Sequence, residues 1–313
     1  MKRRVLVLGI VLISMIAKAQ TLVVCNNERT PAGWLTISIG NTACSQVGNL
    51  LYYPRTIQKV DDLPMGSSLD ICSGDQNPFG WYTTAIMSTP CVQIGNLLYY
   101  KRTIKKIDFN QATAGTTFDV CNTNANPPGW ITIAVATGAP CSKVGNTFIY
   151  QRTIEKITGL PVSTTLNICS ADRTPAGWVA ITTSSTRCAA TGGINAGGVI
   201  MYPRTIQKID GMPSGTSLNI CGADLTPRGW ITISTSSTRC AETGGINAGG
   251  IIMYPRTIKK IDGMPSGTVL DVCGPDRTPS GWVTTSTENT PCATTGGVNV
   301  GGLIMYKRTI KKL

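Results

Sequence analysis

Short segments in which apolar and polar residues alternate recur along the chain and are typical of β-strands. Residues 218–221 (LNIC) alternate once, and residues 229–234 (GWITIS) alternate again and are rich in β-branched side chains. A third segment, 251–261, starts with apolar residues. Pro255 inside it predicts that this strand breaks in two or lies at a sheet edge, because proline donates no ladder hydrogen bond. No segment has the 3.6-residue period of a helix, so the pattern predicts an all-β chain.

These segments belong to a motif that is repeated six times. The string C-x5-P-x-G-W recurs at intervals of 47, 49, 48, 52 and 52 residues, a second cysteine follows the first by 19 or 20 residues, and each copy closes with Y-x-R-T-I-x-K. Self-similarity of this kind indicates a repeat architecture. We expect a signal peptide and six repeats, with boundaries at 1–19, 20–66, 67–115, 116–163, 164–215, 216–267 and 268–313.

Two architectures accommodate six short β repeats. The expected one is a linear, stalk-like array of disulfide-stapled β-meander repeats of 47–52 residues, in which each repeat contacts its neighbours alone. The alternative is a closed six-bladed β-propeller with short blades. The uneven spacing of the early repeats and the near-identity of repeats 4 to 6, which indicates duplication at the C-terminal end, favour the linear array, since adding a unit to a ring changes its closure.

The cysteines predict six disulfide bonds, two cysteines coming from each repeat. A unit of roughly 48 residues buries little surface alone and usually needs a covalent link. Pairing between neighbouring repeats gives the same count, but pairing within the repeat is simplest. The chain has no histidine and no C-x-x-C motif, so neither a metal site nor a cofactor is expected. The predicted pairs are Cys25–Cys44, Cys72–Cys91, Cys121–Cys141, Cys169–Cys188, Cys221–Cys240 and Cys273–Cys292.

The first 19 residues predict export. Residues 2–4 are basic, residues 5–16 are apolar, and residues 17–19 (AKA) form a cleavage site before Gln20. The apolar run is too short to span a bilayer, and no later stretch of about 18 apolar residues follows. We therefore expect a protein that is secreted or held at the cell surface, without a membrane span, in a compartment that permits disulfide bonds.

Half of the basic residues of the exported chain occupy two repeated positions. The formal charge of +12 falls to +8 without the leader, which carries four of the 28 basic residues and none of the 16 acidic ones. Each repeat has an arginine and, four positions later, a lysine on the same face of a strand. Such ladders suit anionic glycans or phosphates, although charges on an edge strand also block aggregation. These candidate ligand residues are Arg55, Lys59, Arg102, Lys106, Arg152, Lys156, Arg204, Lys208, Arg256, Lys260, Arg308 and Lys312.

One tryptophan per repeat is the second set of candidate ligand residues. On a strand, Trp34 shares a face with Thr36 and Ser38, so its ring lies among small polar side chains, where it could stack on a sugar. The alternative is that each ring covers the nearby disulfide or packs on the next repeat. The six residues are Trp34, Trp81, Trp130, Trp178, Trp230 and Trp282.

The acidic residues predict turns and not catalysis. An aspartate follows the first cysteine by three residues in four repeats, at positions 75, 172, 224 and 276, and is interpreted as a turn residue before the P-x-G turn. Paired catalytic carboxylates need two unlike environments at one site, whereas a sixfold motif supplies equivalent ones. No catalytic residue is therefore expected, and we do not expect an enzyme.

The sequence leaves two functions open. The first is a basic, secreted, non-catalytic repeat protein that acts in adhesion or structure at a cell surface or in an extracellular matrix. The alternative is a multivalent carbohydrate-binding, lectin-like protein with one tryptophan and Arg/Lys site per repeat. A surface glycan or another anionic extracellular polymer is the expected partner class, and self-assembly is a second one. No nucleic-acid partner is expected, because no reading motif is present.

Overall fold

A computed structural model of the chain describes most of residues 20–313. The described residues are 20–25, 29–72, 74–123, 125–136, 140–141, 149–169, 172–191, 199–222, 224–243, 251–295 and 303–313. The proposed signal peptide lies outside them. The chain divides into two compact units, one ending at Asp108 and one beginning at Phe109, so the division falls inside the stretch predicted as repeat 2.

The first unit contains repeat 1 and the strands of repeat 2, and its described residues form eight strands. Among the described residues of both units there are strands, turns and bends but no helix, which confirms the all-β prediction. The strands of the first unit are β1 (Thr21–Val24), β2 (Trp34–Ile39), β3 (Ser45–Val47), β4 (Leu50–Tyr52), β5 (Arg55–Lys59), β6 (Ser68–Cys72), β7 (Trp81–Ile94) and β8 (Leu97–Lys106).

The second unit contains repeats 3 to 6. Its described strands are β9 (Thr117–Cys121), β10 (Trp130–Ala136), β11 (Gln151–Lys156), β12 (Thr165–Cys169), β13 (Trp178–Thr183), β14 (Ala189–Thr191), β15 (Val199–Met201), β16 (Pro203–Lys208), β17 (Ser217–Ile220), β18 (Trp230–Thr235), β19 (Ala241–Thr243), β20 (Ile251–Met253), β21 (Arg256–Lys260), β22 (Val269–Val272), β23 (Trp282–Thr295) and β24 (Leu303–Lys312).

Each repeat forms one three-stranded antiparallel sheet whose central strand is the R-T-I-x-K segment. In repeat 5 the order is β17-β21-β18, and the other repeats have the same arrangement. This order differs from a meander, in which neighbours in sequence would pair throughout. The isoleucine of this segment is buried (Ile258 is 0% exposed) while the neighbouring Thr257 is partly buried, and the β-branched strand that carries them lies between the other two. In the described chain no sheet closes into a barrel or a propeller.

A proline divides the third segment in the way that its position predicts. In repeat 5 the segment consists of β20 and β21 with Pro255 between them, and β20 pairs with β19 in a short hairpin outside the main sheet. The second part, however, is a central strand and not an edge strand, because the proline precedes it.

The six disulfides are those predicted within the repeats. Each joins the end of a sheet's first strand to a cysteine 19 or 20 residues later, and in the five repeats with a described hairpin that cysteine lies at the start of the hairpin. Closing a loop of that length stabilises a repeat by roughly 3 kcal/mol in the chain-entropy model. The staple fixes the hairpin to the sheet.

A β-bulge interrupts the strand that follows each tryptophan. The register of β18 against β21 shifts between Thr232 and Ser234, and the shift recurs at the same position in all six repeats. The extra residue in β18 is Ile233. Because a bulge re-aims its side chain, Ile233 packs on the core shared with the following repeat.

Within each unit the core lies between successive repeats. One cluster combines Ile231 of repeat 5 and Ile261 of the connecting turn with Val272, Trp282 and Ile310 of repeat 6. Equivalent clusters join repeats 1 and 2, 3 and 4, and 4 and 5. Burying a large apolar side chain contributes roughly 1.5–3 kcal/mol, so these repeats stabilise one another.

Candidate functional site

In repeats 2, 4, 5 and 6 an aspartate binds the bulge of the repeat before it. Asp75 Oδ2 in repeat 2 accepts hydrogen bonds from the Thr36 amide at 3.1 Å and from Thr30 Oγ1 at 3.0 Å, both in repeat 1. The bulge exposes that amide, and the carboxylate satisfies it. We name this contact the aspartate latch. It recurs in the second unit at Thr132–Asp172 (3.0 Å), Ala180–Asp224 (3.3 Å) and Thr232–Asp276 (2.7 Å).

The repeated arginine supports the loop that carries the latch. Arg102 donates from Nη2 to the Asp75 carbonyl at 2.5 Å and from Nη1 to Asn77 Oδ1 at 3.2 Å. Burial lowers the pKa of Arg102, and the nearby carboxylate of Asp75 opposes that shift. Equivalent bonds to a Thr or Asn side chain are made by Arg55, Arg152, Arg204, Arg256 and Arg308.

The repeated lysine binds the turn that precedes its own repeat. Lys106 Nζ donates to the carbonyls of Asp61 and Leu63, both at 2.7 Å. In the second unit the same contact joins Lys156 to Ala112, Lys208 to Leu160, Lys260 to Met212 and Lys312 to Met264. Lys59 instead forms an ion pair with Asp62 at 2.5 Å, which raises the pKa of the lysine.

The tryptophan rings of repeats 2, 4, 5 and 6 pack toward the preceding repeat. Trp178 contacts Ile131 of repeat 3 and Ile157 of the connecting turn. Trp81 is 2% exposed, the rings in repeats 3 to 6 are 6–7% exposed, and Trp34 is partly buried. The sequence offered packing on the next repeat as the alternative to ligand binding; the rings of repeats 2, 4, 5 and 6 do pack on a repeat, but on the preceding one. In this conformation the five buried rings offer no free face for stacking, and ligand binding by these residues stays a prediction.

Sequence reasoning missed the aspartate latch. The aspartates do precede a turn, but their carboxylates act on a strand 39 to 44 residues away. The sequence does carry one indication that the aspartate is more than a turn residue. It is absent from repeats 1 and 3, which have Glu28 and Asn124 at this position although they keep the same turn. Those two residues lie outside the described residues.

Open grooves lie beside two of the latches. The first, between repeats 1 and 2, has a volume of about 1000 Å³ and is lined by residues that include Arg29, Trp34, Arg55, Asp61 and Phe79. The second, between repeats 4 and 5, has a volume of about 780 Å³ and its lining includes Trp178, Trp230, Lys260, Arg173, Asp210, Leu225, Arg228 and Asp262. We name these the junction grooves. They bring together Trp34 with Arg55, and Trp178 and Trp230 with Lys260, from the residues singled out in the sequence.

Each repeat has two exposed residues beside its P-x-G-W turn, at the groove rims. The identity of these residues differs from repeat to repeat, whereas the turn itself is the same in all six. In each P-x-G-W turn the backbone amide of the tryptophan donates a hydrogen bond to the carbonyl of the proline; the distance from Trp230 to Pro227 is 3.1 Å. The glycine between them has a positive φ, which is +80° at Gly229. Such a turn requires glycine and presents the preceding side chain outward. Phe79 is 100% exposed and Leu225 is 90% exposed. The varying residues, four and seven positions after the first cysteine, are Arg29/Ala32, Gln76/Phe79, Ala125/Pro128, Arg173/Ala176, Leu225/Arg228 and Arg277/Ser280.

Comparison of the chain with protein-family models, with curated proteins and with solved structures finds no match. Among the described residues there is no helix with the length and apolar character that crossing a membrane requires. Likewise, no group of three or more His, Cys, Asp or Glu side chains in the described ranges is placed to hold a metal ion.

Proposed function

We propose that the chain is a secreted, non-catalytic repeat protein that serves adhesion or structure outside the cell, at a cell surface or in a matrix. Six disulfide-stapled β units are compatible with an extracellular repeat protein. The observation that carries the proposal is the use made of the repeated polar residues. The aspartates join successive repeats, and the arginines and lysines hold the loops and turns at those junctions.

A chain built in this way resists separation of its repeats. Each junction within a unit combines a buried apolar cluster with a charge-assisted hydrogen bond, and each repeat also has a covalent staple. Charge-assisted bonds are stronger than neutral ones. These contacts suit a protein whose repeats must stay together when mechanical force is applied to it.

The junction grooves supply the contact surface in this proposal. Their rims carry exposed apolar side chains, Phe79 and Leu225, beside exposed arginines. Aromatic side chains and arginine are the residues most enriched where proteins meet partners. These rim residues are separate from the latch, so replacing them leaves the junctions intact.

Bead attachment tests the adhesive role. Beads that carry the exported chain are allowed to settle on surfaces coated with extracellular-matrix protein or with glycan, and detachment is measured under flow. We expect retention above that of uncoated beads, and a clear loss of retention for Phe79→Ser combined with Leu225→Ser. Met65→Ser, at another exposed apolar residue (59% exposed) that lines neither groove, is the control. Retention no better than that of uncoated beads contradicts the proposal.

The alternative is a lectin-like function in the same grooves. Its support is that Arg228, Lys260 and Asp262 line one groove, because charged groups of this kind form hydrogen bonds with sugar hydroxyls. The rings of Trp178 and Trp230 in the same groove are buried and add no stacking face. A glycan array separates the two functions. Binding to defined glycans that is competed by the free sugar, and that weakens steeply with Arg228→Ala, favours the lectin; adhesion without glycan binding favours the structural role.

A further inference from the structure

Aliphatic side chains are exposed at the ends of two hairpins in the first unit, one in repeat 1 and one in repeat 2. We name residues 45–52 and 92–99 the hairpin tips. Their sequences, SQVGNLLY and VQIGNLLY, differ at two positions. Five of their side chains are 46–64% exposed: Val47, Leu50, Leu51, Leu97 and Leu98.

The turn of each hairpin tip has a defined geometry. Gly48 and Gly95 begin the two-residue turns and have φ values of +59° and +57°, and a glycine at this position is typical of a type II′ turn. Gln46 Nε2 donates to the Gly48 carbonyl at 2.9 Å, and Gln93 Nε2 donates to the Gly95 carbonyl at 3.0 Å. A disulfide also joins each hairpin to its sheet. A tip held in this way loses little conformational freedom when it binds a partner.

Each hairpin tip consists of two strands with no further strand beside them. In the described chain β3 pairs with β4 alone, and residues 92–94 of β7 pair with residues 97–99 of β8. The third strand of that sheet, β6, pairs with β8 from Lys101 onward. The outer edges of the tips therefore present backbone groups that have no strand partner. Because an isolated pair of strands is marginally stable in water, additional strands stabilise such a tip.

The hairpin tips lie in uncharged parts of a basic chain. Residues 30–54 and 76–100 contain no Asp, Glu, Lys or Arg, and they are the two longest such stretches after Gln20. Residues 20–313 have a formal charge of +8, from 24 basic and 16 acidic residues. Two copies of the chain therefore repel one another, and this repulsion is smallest where both surfaces are uncharged. The hairpin strands of repeats 5 and 6, in contrast, carry Glu242 and Glu288.

We propose that a hairpin tip of this chain binds a hairpin tip of a second copy, strand edge to strand edge, with the exposed valine and leucine side chains between them. The two tips of one chain then bind two other chains, so copies assemble beyond the dimer. A lipid bilayer also accepts leucine side chains, but it leaves the backbone groups of a hairpin edge without hydrogen bonds. A second strand edge satisfies those groups, and the tips favour it for that reason.

Sedimentation velocity of the exported chain over a range of concentrations tests this proposal. Leu50→Lys and Leu97→Lys each place a charge on one tip, and they are made singly and combined. The control combines Met65→Lys with Leu225→Lys, which adds the same two charges at exposed apolar residues outside the tips. Mass spectrometry of the six disulfides checks that every variant is folded.

We expect the unchanged chain to form assemblies larger than a dimer as its concentration rises. Each single variant should stop at the dimer, because it keeps one intact tip. In the combined variant the concentration of half-association should rise by about tenfold or more, since lysine on a strand edge opposes pairing. The control variant should assemble as the unchanged chain does.

An unchanged chain that stays monomeric up to about 100 µM overturns the proposal. A control variant that assembles as poorly as the combined variant also overturns it, because added charge and not the tips then decides association. Flotation with phosphatidylcholine vesicles tests the other partner: a monomeric chain that binds them, and that loses this binding in the combined variant, assigns the tips to lipid and overturns the proposal. The proposal deepens the structural role proposed above, but self-association is measured without a coated surface, so its failure is distinct from a failure of bead retention.

Discussion

Asp276 Oδ2 accepts a hydrogen bond from the backbone amide of Thr232 at 2.7 Å, and the two residues belong to successive repeats. The amide lies at a β-bulge and Thr232 is fully buried, so no solvent replaces the carboxylate. The contact makes the fold of one repeat depend on the presence of the next.

Removing the latch should destabilise the junction between repeats 5 and 6. We expect Asp276→Ala to lower the free energy of unfolding by about 1–3 kcal/mol, because it leaves a buried amide without its acceptor. Asp276→Asn keeps an acceptor oxygen and should cost less. Urea unfolding of the full chain measures the change. Asp262→Ala, at an exposed carboxylate of the groove, is the control and should have little effect.

Truncating the apolar residue after the tryptophan should have unequal effects in repeats 5 and 6. Ile231→Ala opens a cavity in the core between two repeats and should cost about 2–5 kcal/mol. Val283→Ala, at the equivalent position in repeat 6, should cost about 1 kcal/mol or less, since Val283 is already 37% exposed. Thermal unfolding of the two variants compares them. Equal losses would show that Ile231 is not at a repeat junction.

Glu155→Gln should stabilise the second unit at neutral pH. Burial raises the pKa of Glu155 above its ordinary value of 4.5, so the folded chain holds the ionised carboxylate at a cost. At pH values below 4.5 the group is protonated in both states, and the variant should gain nothing. The difference in melting temperature should open as the pH rises through the raised folded pKa and then stay constant. A variant that is no more stable than the parent at pH 7 contradicts this account. Repeats 1 and 4 carry glutamine at this position, which shows that the amide fits.

Removing one disulfide bond should lower the stability of the repeat that contains it. We expect Cys221→Ser with Cys240→Ser to lower the stability of repeat 5 by roughly 3 kcal/mol. Proteolysis of the folded chain under mild denaturant locates the weak point, and new cleavage is expected between residues 221 and 240. Cleavage spread evenly over the repeats would contradict a staple that acts locally.

The sequence predicted contacts within a repeat well and contacts between repeats poorly. The offset between Cys221 and Cys240 recurs almost unchanged, so pairing within the repeat was the simplest solution, and the structure has it. The partner of Asp276 could not be assigned in this way. In a periodic chain a contact with the same repeat and a contact with the repeat before it leave the same pattern, so Asp276 was taken for a turn residue.

The order of the strands within each sheet could not be predicted from the sequence either. Alternation along residues 229–234 reveals a strand and its two faces, but it does not reveal which strand is central. Likewise, the polar face that carries Trp230 and Thr232 looked open to solvent. The bulge and the stacking of repeats bury both residues, and this burial depends on contacts that are distant in sequence.

The central claim is that successive repeats of a unit are joined by an aspartate on a bulge amide. Residue-resolved amide exchange on the unmodified chain tests it most directly. The account predicts slow exchange at Ala180 and Thr232, whose amides bind Asp224 and Asp276, and much faster exchange at Thr284, at the equivalent bulge of repeat 6. Exchange at Ala180 and Thr232 as fast as at Thr284 would contradict it.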